Sequence, residues 1–448
     1  MEIDTYLESV VNKKIPSLNC KIFSFSNDDI YSNSLGYKCL ETKDNCDINT
    51  NYGIGSITKI FTAISVFQLC EKAIINIEDP IYLYFKQTPL YKTFKSSNIQ
   101  ISHLLSHTSG ISNLSFSESR YNKSTYLSGR KIDNNYALYD YLEDILTFKK
   151  RVPGLEFNYL NIGYIILGLI IERVTNGGYK EYINKFIFEA LDLNRTYFAG
   201  DNELTNLAVP YIYTSGNNYL KGSQLYTEYP QAGGIISNIN DLKKIVISLF
   251  TKNNSSLIND NSFKLMTAIQ KRVNYGSISY DTFVGKGLFI NSNFNKMKLY
   301  FHNGGIMGGR ANISILPEHK IACIVLTNSD NYPAEEISKN LLNLIVNHKR
   351  INTIIELESK LKSITGYYYS YKKNTKIRIY KKNNIYILQF CYYPYRVMYT
   401  LYTIKYSANI IYFNAINNAV MFQNNKCKIL LKNKQLLFNQ YLFNKSSD

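Results

Sequence analysis

The spacing of apolar residues predicts two strong helices in the first half of the chain. Apolar residues recur at near-helical intervals after Ser56, and Pro80 forbids continuation, so the first helix is predicted to begin at Ser56. The second is predicted from about Ile162 to Val174, with Gly177-Gly178 just beyond its end. The apolar positions of the first helix are Ile60, Phe61, Ile64, Phe67 and Leu69.

Strand patterns lie on both sides of this helical region. They are predicted at residues 20–25, 30–40, 297–302, 311–316 and 320–327. In the third, His302 falls on the face opposite the apolar Leu299 and Phe301. A helix that begins at Pro333 follows the last. Strands at both ends of a helical region imply one antiparallel sheet built from distant segments, flanked by helices and with a helical lobe inserted between.

The pattern changes after about residue 355. Short strand-like runs separated by Asn-rich turns predict a small antiparallel barrel or sandwich. The predicted fold class is therefore α+β, with a first domain in residues 1–354 and an all-β domain in residues 355–448. The predicted strands of the second domain are residues 376–380, 385–390, 397–404, 410–413, 419–422, 428–431 and 436–443.

Composition indicates a globular protein with a strongly basic end. The 448 residues are 45% hydrophobic and 19% charged, which excludes general disorder and predicts at least two packed units. Of the net charge of +17, +13 comes from fourteen Lys and Arg and one acid after residue 360. Because these lysines are scattered without a nucleic-acid motif, biased codon usage is the favoured explanation and no nucleic-acid partner is expected. An acidic partner for the basic domain is the alternative.

Cysteines and apolar segments bear on the location of the protein. The seven cysteines are an odd number without a C-x-x-C pair, so neither a disulfide framework nor a zinc site is expected. The N-terminus carries acids where a secretory signal needs basic residues, and the most apolar segment, residues 164–171, is too short to span a bilayer. The expectation is a cytoplasmic protein without a membrane span.

Three short motifs carry candidate chemistry. Ser56-Ile57-Thr58-Lys59 is an S-x-x-K at a predicted helix start, where three residues of helix bring the amine within reach of the hydroxyl. Backbone N–H groups at such a start favour an anion. Tyr159-Leu160-Asn161 places a phenol and a carboxamide before the second helix. His302-Asn303-Gly304-Gly305 ends a strand with glycines that allow close approach to a ligand.

With these motifs in this order, residues 20–350 resemble the penicillin-recognising serine hydrolases. The branch resembled is the class C β-lactamase-like one, with its D-alanyl-D-alanine carboxypeptidases, D-aminopeptidases and esterases. The resemblance implies a β-lactamase/transpeptidase-like fold. It rests on residues 52–59, 103–110, 159–168, 232–242 and 302–305.

The resemblance implies an acyl-enzyme mechanism with Ser56 as the nucleophile. Lys59 and Tyr159 would share the role of base, and the sequence leaves open which of them takes the proton. Asn161 would orient the substrate amide and Lys59, and the backbone N–H groups of Ser56 and Gly305 would form the oxyanion hole. His302 and Gly304 are predicted to contact the substrate. The chemistry requires no metal and no organic cofactor.

Several positions depart from the family pattern or admit another interpretation. His302 stands where β-lactamases of this group usually carry lysine, which favours a peptidase or esterase. Leu160 replaces a small residue, and Ala73 stands where a turn glycine is common. His103 and His107 are spaced i, i+4, as in a zinc pair, but a third acidic ligand is missing, so a structural role is favoured.

The sequence thus predicts a serine hydrolase of small peptides, amides or esters, resembling D-amino-acid peptidases or esterases. Acyl transfer to an amine or alcohol, including peptide cyclisation, is one alternative, because it uses the same acyl-enzyme. A catalytically silent peptide-binding relative is another. Some relatives carry a C-terminal barrel that resembles lipocalins and often starts with a Gly-Tyr pair, as in Gly366-Tyr367.

Overall fold

The computed structural model describes most of the chain as two compact units. Among the described residues, the first unit comprises those up to residue 347 and the second those from residue 363 onward. The domain boundary predicted after residue 354 lies outside the described residues. The described stretches are residues 3–111, 142, 151–201, 205–215, 218–222, 230–251, 257–273, 281–347, 363–370, 375–382, 385–391, 396–406, 410–417, 424–430, 435–438 and 441–446.

The first unit contains the predicted antiparallel sheet, which has nine strands. The strands are β1 Ser17–Ser24, β2 Asp29–Cys39, β3 Asp44–Asn45, β9 Lys271–Arg272, β10 Thr282–Val284, β11 Phe289–Phe294, β12 Met297–Ile306, β13 Gly309–Leu316 and β14 Ile321–Thr327. Their order is β3-β2-β1-β14-β13-β12-β11-β10-β9, so β1 pairs with a strand some 300 residues later, as in Ile22 opposite Cys323.

Short strands outside this sheet complete the first unit. They are β4 Tyr52–Gly53, β5 Tyr197–Phe198, β6 Tyr211–Ser215, β7 Asn218–Lys221 and β8 Ile235–Ser237. Strand β8 pairs with both β4 and β5. Because β4 ends three residues before Ser56, this small sheet holds the chain on the N-terminal side of the S-x-x-K motif.

The predicted helical lobe lies between the early and late strands of the chain. With α1 before the first strand and α10 after the last strand of the large sheet, the helices in the described residues of this unit are α1 Ile3–Lys14, α2 Thr58–Glu71, α3 Leu90–Ser97, α4 Ile101–Leu105, α5 Asn161–Thr175, α6 Tyr179–Ile183, α7 Pro230–Gly233, α8 Ile239–Phe250, α9 Asp260–Thr267 and α10 Ala334–Asn347. Helix α2 is buried from Thr58 to Phe67 and α5 from Ile162 to Ile171. A helix that is apolar all round is a core helix, and these two contact each other.

The central strands of the large sheet are also buried on both faces. Every residue of β14 is buried, and so is every residue of β1 except the last. Helices α8 and α10 both contact β1 and β14. An uninterrupted apolar run such as that of β14 is typical of a strand covered on both faces.

The second unit is an eight-stranded antiparallel barrel. Each strand pairs with the next, and β22 pairs with β15 to close it. Alternate residues such as Tyr368, Ile377 and Ile379 are fully buried, as a barrel interior requires. The strands are β15 Gly366–Ser370, β16 Lys376–Lys382, β17 Ile385–Cys391, β18 Arg396–Tyr406, β19 Ile410–Asn417, β20 Asn424–Leu430, β21 Gln435–Phe438 and β22 Tyr441–Lys445.

The α+β class and the helix-flanked antiparallel sheet are confirmed, with local differences. The strand predicted at residues 436–443 is wrong, because it is two strands, β21 and β22. The strand predicted at residues 419–422 lies outside the described residues. The likeness of the barrel to lipocalins stays a prediction.

Candidate active site

Ser56 lies in a 3-10 turn, Gly55–Ile57, that leads directly into α2. The helix predicted to begin at Ser56 therefore begins two residues later, at Thr58. Gly55 and Ile57 are buried, whereas Ser56 is partly exposed. The turn thus presents the Ser56 hydroxyl at the end of a buried core helix.

Lys59, one helical turn onward, has a completely buried side chain. Its Nζ lies 3.0 Å from the Ser56 hydroxyl oxygen and donates a hydrogen bond of 2.6 Å to the backbone carbonyl of Ala232. Burial lowers the pKa of Lys59 to about 7. Near neutral pH, a substantial fraction of this lysine is therefore a free amine beside the serine.

Tyr159 contacts the same hydroxyl. It makes a side-chain hydrogen bond with Ser56, and the Lys59 Nζ lies 5.1 Å from the centre of the Tyr159 ring. Burial raises the pKa of Tyr159 to about 12, and the hydrogen bond to Ser56 opposes this shift. At neutral pH Tyr159 is therefore an un-ionised phenol. The structure thus brings together Ser56, Lys59 and Tyr159, as the motifs predict.

The ring of His107 packs against the ring of Tyr159. The two ring centroids are 4.3 Å apart, and the His107 Nδ1 accepts a hydrogen bond from the backbone N–H of Leu160 at 3.2 Å. The His107 carbonyl accepts another from the N–H of Asn158 at 2.8 Å. Burial and the nearby Lys59 and His302 hold the pKa of His107 well below its usual value, so its ring is neutral.

The zinc alternative for His103 and His107 does not fit this geometry. Helix α4 ends at Leu105, and His107 has a left-handed φ of 54°, so the two histidines do not share a helical face. The Nδ1 of His103 accepts a hydrogen bond from the backbone N–H of Gln100. The favoured structural role agrees with these contacts, but the contact of His107 with Tyr159 was not predicted.

His302 lies on β12 and is 2% exposed. Its Nδ1 is 2.8 Å from the carbonyl oxygen of Asn303; because a carbonyl only accepts, Nδ1 carries the proton and Nε2 is left as an acceptor. Burial, and secondarily the charge of Lys59, lower the pKa of His302 to about 3. His302 is therefore neutral where β-lactamases of the resembled group usually have a lysine.

Glycines bring β12 against the Ser56 turn. Strand β11 pairs with β12 only as far as Phe301, so the segment from His302 to Ile306 pairs with β13 alone among the described strands. A Cβ on Gly304 would lie 1.9 Å from the Ile54 carbonyl oxygen, and one on Gly55 would lie 2.7 Å from the Gly305 nitrogen. Only glycine allows these approaches. The strand runs on to Ile306, whereas it was predicted to end with the motif.

Asn161 is exposed at the first position of α5. Within the part of the chain that the structure describes, no hydrogen bond joins it to Lys59. The Ala232 carbonyl, which the sequence did not single out, holds the amine instead. A main-chain carbonyl has no side-chain signature, and the Ala232-Gly233-Gly234 motif was the only signal at this place.

Comparison with known proteins decides the family. The Beta-lactamase family model matches residues 26–348, well over half of the chain. The chain belongs to the Beta-lactamase family. Protein flp of Staphylococcus aureus strain MRSA252 is 26% identical to this Beta-lactamase family member over 366 residues, which are 81% of this chain and 69% of flp.

Solved structures agree with this assignment. The octameric penicillin-binding protein homologue from Pyrococcus abyssi is 25% identical, with a TM-score of 0.78 over 98% of each chain. The D-amino acid amidase from Ochrobactrum anthropi SV3, complexed with L-phenylalanine amide, has a TM-score of 0.65 at 19% identity, covering 77% of this chain and 98% of the amidase. The second likeness shows the shared fold.

Among the described residues, no three His, Cys, Asp or Glu side chains are grouped so that they could hold a metal ion. None of the described helices combines the length and the apolar character needed to cross a membrane.

Proposed function

We propose that this Beta-lactamase family member is a serine hydrolase that forms an acyl-enzyme on Ser56 and hydrolyses an amide or ester. The observation that carries the proposal is the buried Lys59 amine, 3.0 Å from the Ser56 hydroxyl oxygen. A serine hydroxyl needs a neighbouring base. Burial lowers the Lys59 pKa to about 7, which suits a general base at neutral pH.

Lys59 takes the hydroxyl proton while the Ser56 oxygen bonds to the substrate carbonyl carbon. The carbonyl electron pair moves onto its oxygen, which the backbone N–H groups of Ser56 and Gly305 stabilise. When the tetrahedral intermediate collapses, the bond to the leaving group breaks and the leaving amine or alcohol receives the proton. Water then attacks the acyl-enzyme by the same steps, releases the acid and restores Ser56.

Tyr159 acts in this scheme as a neutral phenol that relays the proton towards the leaving group. Its pKa of about 12 argues against a role as a phenolate base, because the phenol stays protonated at neutral pH. His302, neutral with Nε2 free to accept, and the exposed amide of Asn161 bind the substrate. Gly304 contributes by letting β12 approach Ser56.

Within the family, we assign this serine hydrolase to the class C β-lactamase-like branch, with D-amino-acid peptidase or esterase activity. A neutral His302 in place of lysine supports the peptidase or esterase activity, because the site loses the permanent charge that the β-lactamases of this group usually have. A silent peptide-binding relative has no chemical reason to keep Ser56, Lys59 and Tyr159 in contact. Acyl transfer and peptide cyclisation remain the alternative outcomes of the same acyl-enzyme.

We also propose bounds for the two domains, a role for the barrel and a cellular location. The catalytic domain spans residues 1–354, and the basic barrel of residues 355–448 is lipocalin-like and offers a surface to an acidic partner. A cytoplasmic location agrees with cysteines that are free in the described residues.

Intact-protein mass spectrometry tests the central proposal. The protein is incubated with a β-lactam, an activated ester or a phosphonate, and we expect one adduct per chain with at least one probe. Ser56→Ala removes the adduct, while Ser26→Ala, at an exposed turn serine, retains it. If none of the three probe classes yields an adduct, or if Ser56→Ala is labelled as well as the parent, the proposal is wrong.

A further inference from the structure

The carbonyl that holds Lys59 belongs to a short helix, α7, which packs between two core helices. Helix α7 has only four residues and contacts both α2 and α5. The last carbonyls of any helix lack a donor within the helix, so those of so short a helix need donors from elsewhere. Gln231 and Ala232 are both buried, and their carbonyls therefore depend on donors from the neighbouring helices.

Helix α2 supplies these donors from two positions one turn apart. Thr62 Oγ1 donates a hydrogen bond of 2.7 Å to the Gln231 carbonyl, and Lys59 Nζ donates one of 2.6 Å to the next carbonyl, that of Ala232. Residues three apart lie on one face of a helix. Thr62 thus fixes the peptide group that precedes the one holding the Lys59 amine.

The hydrogen bond from Thr62 has one possible direction. The Thr62 hydroxyl also lies 2.8 Å from the Tyr179 hydroxyl, and both residues are completely buried. Because a carbonyl only accepts, the single proton of Thr62 goes to Gln231 and Tyr179 donates to Thr62. Burial raises the pKa of Tyr179, so the phenol keeps the proton that it donates. A directed chain of two hydrogen bonds therefore ends at the Gln231 carbonyl.

Helix α5 holds the same residue from the other side. A Cβ on Gly168 would lie 2.1 Å from Gln231 Cγ and 3.0 Å from its Cβ. The Gln231 side chain therefore lies against bare helix backbone, which only glycine allows. Gln231 is held between Thr62 of α2 and Gly168 of α5.

The position of the Ala232 carbonyl matters for the Lys59 amine in two ways. A neutral amine takes a proton through its lone pair, which faces the Ser56 hydroxyl only if the amine N–H groups point elsewhere. The Ala232 carbonyl accepts one of these N–H groups. It also stabilises the ammonium form more than the amine, because the ammonium is the stronger donor.

No charged group near Lys59 competes with this carbonyl. Among the residues that the structure describes, the titratable groups around the amine are the rings of Tyr159 and Tyr164, 5.1 Å and 5.6 Å away, and His107 and His302. Burial raises the pKa of both phenols and lowers that of both imidazoles, so all four are neutral near pH 7.

We propose that Thr62 and Gly168 are positioning residues for the base: they hold Gln231 between α2 and α5, so that the Ala232 carbonyl directs the Lys59 amine towards Ser56. This inference rests on the proposed acyl-enzyme function and adds the residues that set the direction of its base. Thr62 and Gly168 act through Lys59 and take no proton from Ser56.

The pH profile of acylation by a neutral activated ester tests this inference on the full-length protein. Thr62→Val keeps the size of the side chain but leaves the buried Gln231 carbonyl without its donor, so the peptide must turn. We expect the midpoint of the profile to fall by at least about half a pH unit, because the ammonium loses its carbonyl. The plateau rate should fall at least about tenfold, because the amine is misdirected. Thr62→Ser keeps the hydroxyl and should retain both values.

Two further variants make the result specific. Ser65→Ala removes another buried hydroxyl of α2, one that bonds to the Phe61 carbonyl within the helix, and should keep the parental midpoint. Gly168→Ala displaces Gln231 from the side of α5 and should lower the midpoint even if Thr62→Val folds poorly. A folded Thr62→Val or Gly168→Ala protein with the parental profile, a midpoint that rises, or an equal shift in Ser65→Ala would overturn the inference and leave the acyl-enzyme in place. No acylation of Ser56 in the parent protein would overturn both proposals.

Discussion

The ring of His107 lies 4.3 Å, centroid to centroid, from the ring of Tyr159. The His107 Nδ1 also accepts a hydrogen bond from the backbone N–H of Leu160, and the His107 carbonyl accepts one from the N–H of Asn158. These two residues lie on either side of Tyr159 in the chain. One buried residue thus fixes both the phenol ring and the backbone that carries it. His107 is a positioning residue for the contact between Tyr159 and Ser56.

Replacement of His107 should therefore slow acylation of Ser56. We expect His107→Phe, which leaves the Leu160 N–H unpaired, to lower the acylation rate about a hundredfold, because small displacements of catalytic groups have effects of that size. His107→Asn keeps an acceptor and tolerates the left-handed φ, so it should lose less. His103→Asn is the matched control and should acylate at the parental rate. Unchanged acylation in a folded His107→Phe protein would contradict this role.

The sequence predicted the parts of the site that have a local pattern. The periodicity of residues 162–174 predicted α5, which runs from Asn161 to Thr175, because apolar spacing reports directly what a helix buries. The S-x-x-K spacing likewise predicted the contact of Lys59 with Ser56, since it needs only one turn of helix.

Contacts made by the backbone over long sequence separations could not be predicted in the same way. The Ala232 carbonyl that holds Lys59 is 173 residues away along the chain, and no side chain marks it. Similarly, the closeness of Gly304 to Ile54 depends on how β12 packs against the turn, which neither segment encodes alone. The role of His107 depends on where α4 ends and on a left-handed residue after it.

Acylation of Ser56 should rise with pH through about 7. Burial lowers the Lys59 pKa to about 7, so lowering the pH below this value protonates the amine and removes the base. The measurement is the pH profile of the second-order rate constant for acylation by an activated ester whose own charge is constant over the range. A rate that is flat from pH 5 to 9, or that has its midpoint near 10, would show that Lys59 is not the titrating base.

Ala73→Gly should stabilise the protein without changing acylation. Helix α2 ends in a Schellman motif, in which Ala73 N–H bonds to the Cys70 carbonyl and Ile74 N–H to that of Leu69. Ala73 has a φ of 53°, a left-handed conformation that disfavours a residue with a Cβ. We expect a gain of about 1 kcal/mol in the free energy of unfolding, measured by denaturant titration. Ala63→Gly, the same change within the buried helix, should destabilise; a loss of stability in Ala73→Gly would refute the argument.

Gly304 and Gly305 should respond differently to alanine, although they are neighbours on β12. A Cβ on Gly304 would lie 1.9 Å from the Ile54 carbonyl oxygen, so Gly304→Ala must displace the strand from the Ser56 turn. A Cβ on Gly305 would make an ordinary contact of 3.5 Å with Arg310 and would leave the backbone N–H in place. We expect acylation to fall at least about a hundredfold in Gly304→Ala and to stay within about threefold in Gly305→Ala. Stopped-flow acylation with a neutral activated ester compares the two. Equal effects of the two substitutions would mean that the close approach of β12 to the turn is not what positions the oxyanion donors.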